Sequence, residues 1–416
     1  MRKYVSPSEI GGAVTAPPSK SVMQRAVAAA ILSDGPVTIL NPGRDEDSRS
    51  ALRVALSLGA SVDESQDRII IRSGRAARES RLDCGESGLS LRMFTPIASL
   101  FDQEFELVGR GTLCRRPLGT IEQPLSELGV ACTTQKGFPP VVVKGPLRGG
   151  RARVDGSLGS QFLTGLLMAL PKAGRDSELT VDRLVSIPYV LLTLRLLQEF
   201  GVAASHELFR IFRVRGGQTF HRDSYRVEGD WSGAAFLAVA AALAGPVLIR
   251  GLDPDSLQGD RQVLDVIGRA GAGVEVSPDG IAVRPAALRA FEFDVTHCPD
   301  LAPPLTALAS RAEGVSVIRG IGRLRHKESD RAETLLREFR AIGVDIRLED
   351  ERLLVRGGPI PGGAADAHGD HRLAMALAVA GLAARSSVSI QGAECVVKSY
   401  PAFFRDLSGL GGRVHE

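Results

Sequence analysis

Aromatic residues are scarce in this 416-residue chain, with one Trp, four Tyr and 15 Phe. Stacking single-stranded nucleic acid takes exposed rings, so that class of partner is disfavoured. Charge agrees: 51 Lys and Arg against 48 Asp and Glu leave a net +3, far from the excess that a phosphate backbone selects. The cysteines, Cys84, Cys114, Cys132, Cys298 and Cys395, are odd in number and contain no CxxC. They read as reduced thiols of a cytoplasmic protein, not as a disulfide framework. The seven histidines lack ligand spacing, so no metal is expected. The longest apolar run, Ala234 to Ile249, is broken by Gly245-Pro246 and is too short to span a bilayer. The opening MRKYVSPSEIGG has no apolar core of a signal peptide. The expectation is a compact cytoplasmic protein, a monomer, with no membrane or nucleic-acid partner.

What the chain does have is a beat. Gly59, Gly129, Gly201, Gly271, Gly343 and Gly411 recur about 70 residues apart, each after an amphipathic stretch and before a short β-type run. Their sequence position suits a helix C-terminal stop at positive φ. Each unit also holds an Ala/Leu-rich run behind a polar opening: PSKSVMQRAVAAAIL, GESGLSLRMFTPIASL, GSQFLTGLLMAL, GDWSGAAFLAVAAALAG, CPDLAPPLTALA and GDHRLAMALAVAGLAA. Helices apolar nearly all round belong in a core. The second helix of a unit is one-faced, as Ala332, Leu335, Leu336 and Phe339 show, and likewise Val263, Val266, Ile267 and Ala270. The predicted fold is α/β: six βαβαββ units, three per lobe, with sheets outside and Ala-rich helices inside. The lobes are placed at 14–226 and at 1–13 plus 227–416, with crossings near 14–19 and 224–229.

Positive charge is local rather than global. Arg110, Arg115 and Arg116 form one group; Arg323, Arg325, Lys327 and Arg331 form another; Arg372 and Lys398 stand apart. A focused field in a near-neutral protein suits a small acidic ligand. The starts of the buried helices add unpaired N–H groups and a positive dipole end. Lys20-Ser21 opens the first, with Arg25 a turn on; Gly85 to Gly88 open the second, with Arg92 beyond; Ser160-Gln161 open the third. Asp300 stands at the fifth and Asp370-His371-Arg372 at the sixth. Taken singly, Ser21, Ser160 and Asp300 are ordinary caps, but capping does not account for the Lys and Arg beside them. Cations ahead of the RAETLLREFRAIG helix oppose its dipole. Glu328, between Lys327 and Arg331, is placed to exchange a proton.

The segments PPSKSVMQR, DCGESGLSLR, RRPLGTIEQPL, VDGSLGSQFLTGLLMALP, VEGDWSGAAFLA, HKESDR, GDHRLAMALAV and VVKSYPAFF resemble, in order, the signature set of the 5-enolpyruvylshikimate-3-phosphate synthase family. The resemblance runs from about residue 13 to the end. It implies a two-lobed inside-out α/β barrel and transfer of the enolpyruvyl group of phosphoenolpyruvate to the 5-hydroxyl of shikimate 3-phosphate, with release of phosphate. It implies no cofactor. Carried over by motif, Glu328 protonates and later deprotonates carbon 3, Asp300 takes the hydroxyl proton, and Lys20 stabilises charge or assists the transfer. Arg116, Arg331, Arg372 and Lys398 would hold phosphoenolpyruvate, with Gly88 lending N–H groups. Ser21, Arg25, Ser160, Gln161, Ser186 and Lys327 would hold shikimate 3-phosphate. Two polyanions in one cleft would explain the basic loops, and closure of the lobes on shikimate 3-phosphate is expected. Four positions depart from the common pattern: Glu86 for Asn, Gly159 for Ser, Arg323 for Asn and Ile187 for Lys or Arg. Glu86 is expected to turn outward or to pair with an Arg.

Two other readings compete. The sister enzyme that acts on UDP-N-acetylglucosamine carries a reactive Cys in the loop of Cys114, but farther ahead of the Arg-Pro pair than in Cys114-Arg115-Arg116-Pro117. Cys114→Ser is expected to keep most of its turnover in a phosphate-release assay; near-total loss would favour the sister enzyme. A non-catalytic anion- or RNA-binding scaffold of the same fold would have no use for Asp300 and Glu328 among cations.

Overall fold

The computed structural model describes residues 1–74 and 76–416. Twelve α-helices are found among them. They are α1 (Lys20–Leu32), α2 (Glu46–Ser57), α3 (Gly88–Ala98), α4 (Glu122–Glu127), α5 (Gln161–Ala169) and α6 (Ile187–Glu199), followed by α7 (Trp231–Ala244), α8 (Val263–Arg269), α9 (Ala302–Ala309), α10 (Arg331–Ala341), α11 (His371–Leu382) and α12 (Phe403–Gly409). The odd-numbered helices are the Ala/Leu-rich runs, and nearly every residue in them is buried. The even-numbered ones bury one face; in α10 the predicted stripe Ala332, Leu335, Leu336 and Phe339 lies in the core.

Six four-stranded sheets share one order. In the third, Arg151–Asp155 runs parallel to Ser177–Asp182, which is antiparallel to Ile211–Val214, which is antiparallel to Ala204–Glu207. A parallel pair needs a crossover, and the buried helix α5 supplies it. The same logic holds for α3 between Arg81–Asp83 and Glu104–Val108, and for α9 between Glu292–Asp294 and Val315–Arg319. The six beat glycines have φ between 76° (Gly201) and 108° (Gly271). After each of them the next N–H reaches back five residues, as from Ala60 to Ala55, Val130 to Leu125 and Val344 to Phe339. This is the Schellman closure of a helix end, and it asks for a residue without a Cβ penalty.

Contacts divide the chain into a continuous unit, Pro18–Glu228, and a split unit, Met1–Pro17 with Gly229–Glu416. Each has its own apolar core. The division lies a few residues beyond the expected boundaries of 14 and 226/227, for a reason of strand pairing. Val14 and Thr15 pair with Ile249 and Arg250 of the split unit. Tyr225 and Arg226 pair with Ile39 and Leu40 of the continuous one, and the Ser19 N–H bonds the Glu228 carbonyl. Three units therefore draw one strand from a distant part of the chain. The strand before α1 serves the sheet of Val247–Arg250, the strand before α7 serves that of Val37–Leu40, and Arg2–Ser6 completes the last sheet beside Val388–Gln391 and Arg413–His415. No helix among the described residues is long and apolar enough to cross a membrane.

Candidate active site

In the continuous unit, buried helix starts carry the predicted residues. Lys20, first in α1, places Nζ 2.9 Å from Asp47 Oδ2, with both side chains largely buried. Asp47 sits in the first turn of α2, which Asp45 caps by accepting from Ser48 N at 2.9 Å and from Ser48 Oγ at 2.6 Å. Arg25 lies one turn below Ser21 and is buried. It donates to the Ser21 carbonyl at 2.7 Å, to Thr193 Oγ1 at 2.9 Å and to the Tyr189 carbonyl at 3.2 Å. Burial pulls its guanidinium down to about 10. These bonds make Arg25 a brace between α1 and α6 as much as an anion ligand. Ser186, the residue before α6, is buried in the left-handed region at φ 57°, a conformation that a side chain adopts at a cost.

Gly88 begins α3 where a Cβ would lie 2.9 Å from Arg116 Nη1 and 3.0 Å from Arg92 Nη1. No side chain fits there without displacing two guanidinium groups. Arg92, which the sequence reading left without a role, donates to Gln161 Oε1 at 3.2 Å, to the Gly88 carbonyl at 3.1 Å and to the Pro117 carbonyl at 2.5 Å. It thereby sets the predicted ligand Gln161 and the loop of Arg116. Ser160 precedes α5 without a side-chain cap bond, so it is not an ordinary cap, and Ser21 lies inside α1. Ser87 caps α3 instead, and Gln24 of α1 accepts from both Ser87 and Ser90.

The split unit brings six predicted residues together. Arg331, fully buried, donates through Nη1 to Asp300 Oδ1 at 2.9 Å and through Nη2 to Glu328 Oε2 at 2.6 Å. Its Nε and Nη2 also bond Asp370 at 2.8 and 3.1 Å. Asp300 Oδ2 is 2.9 Å from Arg372 Nη2, and Asp300 Oδ1 is 3.7 Å from Lys327 Nζ. Lys398 Nζ approaches Glu328 Oε1 at 3.8 Å. Four cations and three carboxylates from four loops thus form one network. Burial alone would raise the Asp300 carboxyl, but Arg372, Lys327 and Arg331 outweigh it and hold it well below the usual range. Burial dominates at Lys327 and brings its ammonium down to about 7 despite Asp300. Burial lowers Arg331 too, yet Asp370, Glu328 and Asp300 overcome it and raise it.

Asp300 does not cap a helix by its side chain; it lies in a short 3-10 turn before α9. Asp330 caps α10, which leaves Glu328 to Arg331. Sequence reasoning missed Asp370 as the anchor of Arg331 and Asp47 as the partner of Lys20. Their only local signal is a helix-start carboxylate, which ordinary capping already explains. Of the departures, Glu86 accepts from Thr112 Oγ1 at 3.0 Å. Arg323 donates to the Thr296 carbonyl at 3.3 Å. Gly159 has φ 142°, a backbone state that serine avoids, so the glycine suits the path of its loop.

Asp45 offers a pH test beside Lys20. Burial, reinforced by the Asp47 charge and opposed by Ser48 and Lys20, raises its carboxyl to about 7. The folded state then keeps a proton that the unfolded chain sheds near the ordinary 3.8, so stability falls as pH rises from about 4 to about 7. Asp45→Asn keeps a cap and removes that slope. Its stability advantage over the parent is expected to grow to about 2–4 kcal/mol across this window and then level off. Urea unfolding at pH 4.5, 6 and 8 measures it, and a constant difference would contradict the assignment.

Comparison with known proteins meets this geometry. The family model described as EPSP synthase (3-phosphoshikimate 1-carboxyvinyltransferase) matches residues 5–407. The 3-phosphoshikimate 1-carboxyvinyltransferase of Methanocorpusculum labreanum is 38% identical with all of both chains covered. That of Clostridium kluyveri is 37% identical over 100% of this chain and 99% of its own. The solved structure of EPSP synthase from Acinetobacter baumannii superposes with a TM-score of 0.82 at 25% identity, covering both chains fully. The chain belongs to the EPSP synthase family, with its two-lobed α/β fold, and is a 3-phosphoshikimate 1-carboxyvinyltransferase that moves the enolpyruvyl group of phosphoenolpyruvate to shikimate 3-phosphate.

Proposed function

We propose that Glu328 and Asp300 divide the proton work of this reaction. Glu328 protonates carbon 3 of phosphoenolpyruvate while the 5-hydroxyl of shikimate 3-phosphate attacks carbon 2 and gives its proton to Asp300. The tetrahedral adduct then loses phosphate, and Glu328 takes a proton back from the new methyl group. The observation that carries this reading is the Arg331 guanidinium, which holds both carboxylates at 2.6 and 2.9 Å. Asp300 with its cations unopposed is a weak base. An arriving phosphate or carboxylate opposes the charge of Arg372 and Lys327 and makes Asp300 more basic when the hydroxyl is at hand. The same anion beside Lys398 favours the neutral acid form of Glu328.

In the split unit we assign Arg331, Arg372 and Lys398 to phosphoenolpyruvate and Lys327 to shikimate 3-phosphate. Four of the five N–H groups of Arg331 already face carboxylates, so Arg372 and Lys398 carry more of the anion binding. In the continuous unit we assign Ser21, Arg25, Ser160, Gln161 and Ser186 to shikimate 3-phosphate, Arg116 and the Gly88 N–H to phosphoenolpyruvate, and Lys20 to charge stabilisation. Lys20 is already tied to Asp47, which fixes its ammonium. We further read the protein as cytoplasmic, which its five free cysteines support, and as a monomer, which sedimentation checks.

Phosphate release measured with both substrates, and with each omitted in turn, tests the scheme. Asp300→Asn is expected to bind shikimate 3-phosphate by calorimetry yet lose about 10²–10³ in kcat. Turnover within about threefold of the parent would remove Asp300 from proton transfer.

A further inference from the structure

We propose that Glu338 and His368 form a positioning strut that holds the 366–370 loop on α10 and so fixes where Arg331 and Arg372 meet phosphoenolpyruvate. The proposal rests on the assignment of those two arginines above. Glu338 is a buried carboxylate that the reaction does not use, on the same helix as Arg331. The two are seven residues apart, two turns and about 10 Å along one face. Arg331 pins the first turn of α10 to Asp370. Glu338 pins the third: Oε2 accepts from the Asp366 N–H at 2.8 Å, and Oε1 meets His368 Nε2 at 2.7 Å.

Between these points the loop takes an unusual path. His368 has φ 49° and Gly369 φ 70°, two consecutive left-handed residues of which only one is a glycine. A histidine reaches that state when its surroundings insist on it. The insistence comes from Asp366 Oδ1, which accepts the His368 N–H at 2.7 Å, and from the Glu338 contact to the ring. Arg337 Nη2 also lies against the ring, 2.5 Å from Nε2 and 3.2 Å from Nδ1. Burial raises the Glu338 carboxyl, but His368, the Asp366 N–H and Arg337 bring it below its usual value. Glu338 is therefore ionised at neutral pH.

What the loop delivers is Asp370. Its Oδ1 accepts from the Arg372 N–H at 3.0 Å and from Arg331 Nη2, and its Oδ2 accepts from Arg331 Nε and Ser329 Oγ. One carboxylate thus sets both the start of α11, which carries Arg372, and the guanidinium of Arg331. With the Glu338 contact removed, α10 is pinned to the loop at the Arg331 end and can pivot there, which moves two anion-binding groups together. Displacements near 1 Å at such groups are costly.

Steady-state kinetics on the full chain decide the matter. Glu338→Ala and His368→Asn are expected to raise KM for phosphoenolpyruvate about tenfold or more, with KM for shikimate 3-phosphate within about twofold of the parent. Glu338→Gln, which keeps an acceptor for the Asp366 N–H, is expected to restore part of the loss. Asparagine tolerates the left-handed backbone, so His368→Asn carries the test should Glu338→Ala fail to fold. An unchanged KM for phosphoenolpyruvate, or a parallel rise in both constants, overturns the strut. Arg372→Lys serves as the reference: if it too leaves that constant unchanged, the arginine assignment has failed rather than the strut alone.

Discussion

Glu328→Gln lowers kcat by about 10²–10⁴ while binding of both substrates changes little. The amide keeps an oxygen for Arg331 Nη2, which the carboxylate meets at 2.6 Å, so the network retains its shape and loses only its exchangeable proton. Because the step concerns carbon 3, the defect has its own signature. Exchange of solvent deuterium into the methylene of phosphoenolpyruvate, measured with shikimate 3-phosphate present, should fall in step with turnover. Exchange at the parental rate in Glu328→Gln would assign the proton to another group, and Lys20 would become the next to examine.

Asp370→Ala is expected to cost about 3–5 kcal/mol of folding stability, because it strips a fully buried guanidinium of the one carboxylate that it bonds twice. Arg331 would keep Asp300 and Glu328, but Nε would lose its carboxylate and α11 would lose the cap that now accepts the Arg372 N–H. Asp370→Asn separates the two effects, since asparagine caps well but offers Arg331 one oxygen instead of two. Urea unfolding should rank parent, Asn and Ala in falling order of stability. A loss below about 1 kcal/mol for Ala would mean that Arg331 is held mainly by Asp300 and Glu328.

Much of this was legible one segment at a time. The closing glycines and the contrast between all-apolar and one-faced helices each depend on residues within a turn or two of one another, and the six-fold beat is the recurrence of those local patterns. Val130 bonding back to Leu125 across Gly129 is such a case, and so is the buried stripe of α10. The motif resemblance worked for the same reason, since HKESDR and GDHR are short contiguous strings. Reading failed where a partner lies far along the chain. Asp370, 39 residues beyond Arg331, is such a partner, and so is Thr112, 26 residues beyond Glu86.

The amino-acid order by itself determined the repeat, the two helix classes and the family. Backbone periodicity, turn chemistry and dipole complementarity act over a few residues, and the chain displays them openly. Only the tertiary structure decided which acid meets which partner: Asp47 for Lys20, Asp370 for Arg331, Glu338 for His368. It also decided that Gly12–Thr15 and Ser224–Arg226 each pair in a different unit from the helix that follows them. A carboxylate in a polar loop looks the same in sequence whether it faces water or a buried guanidinium. What distinguishes the two is the loss of solvent, and that is set by which distant loops pack over it.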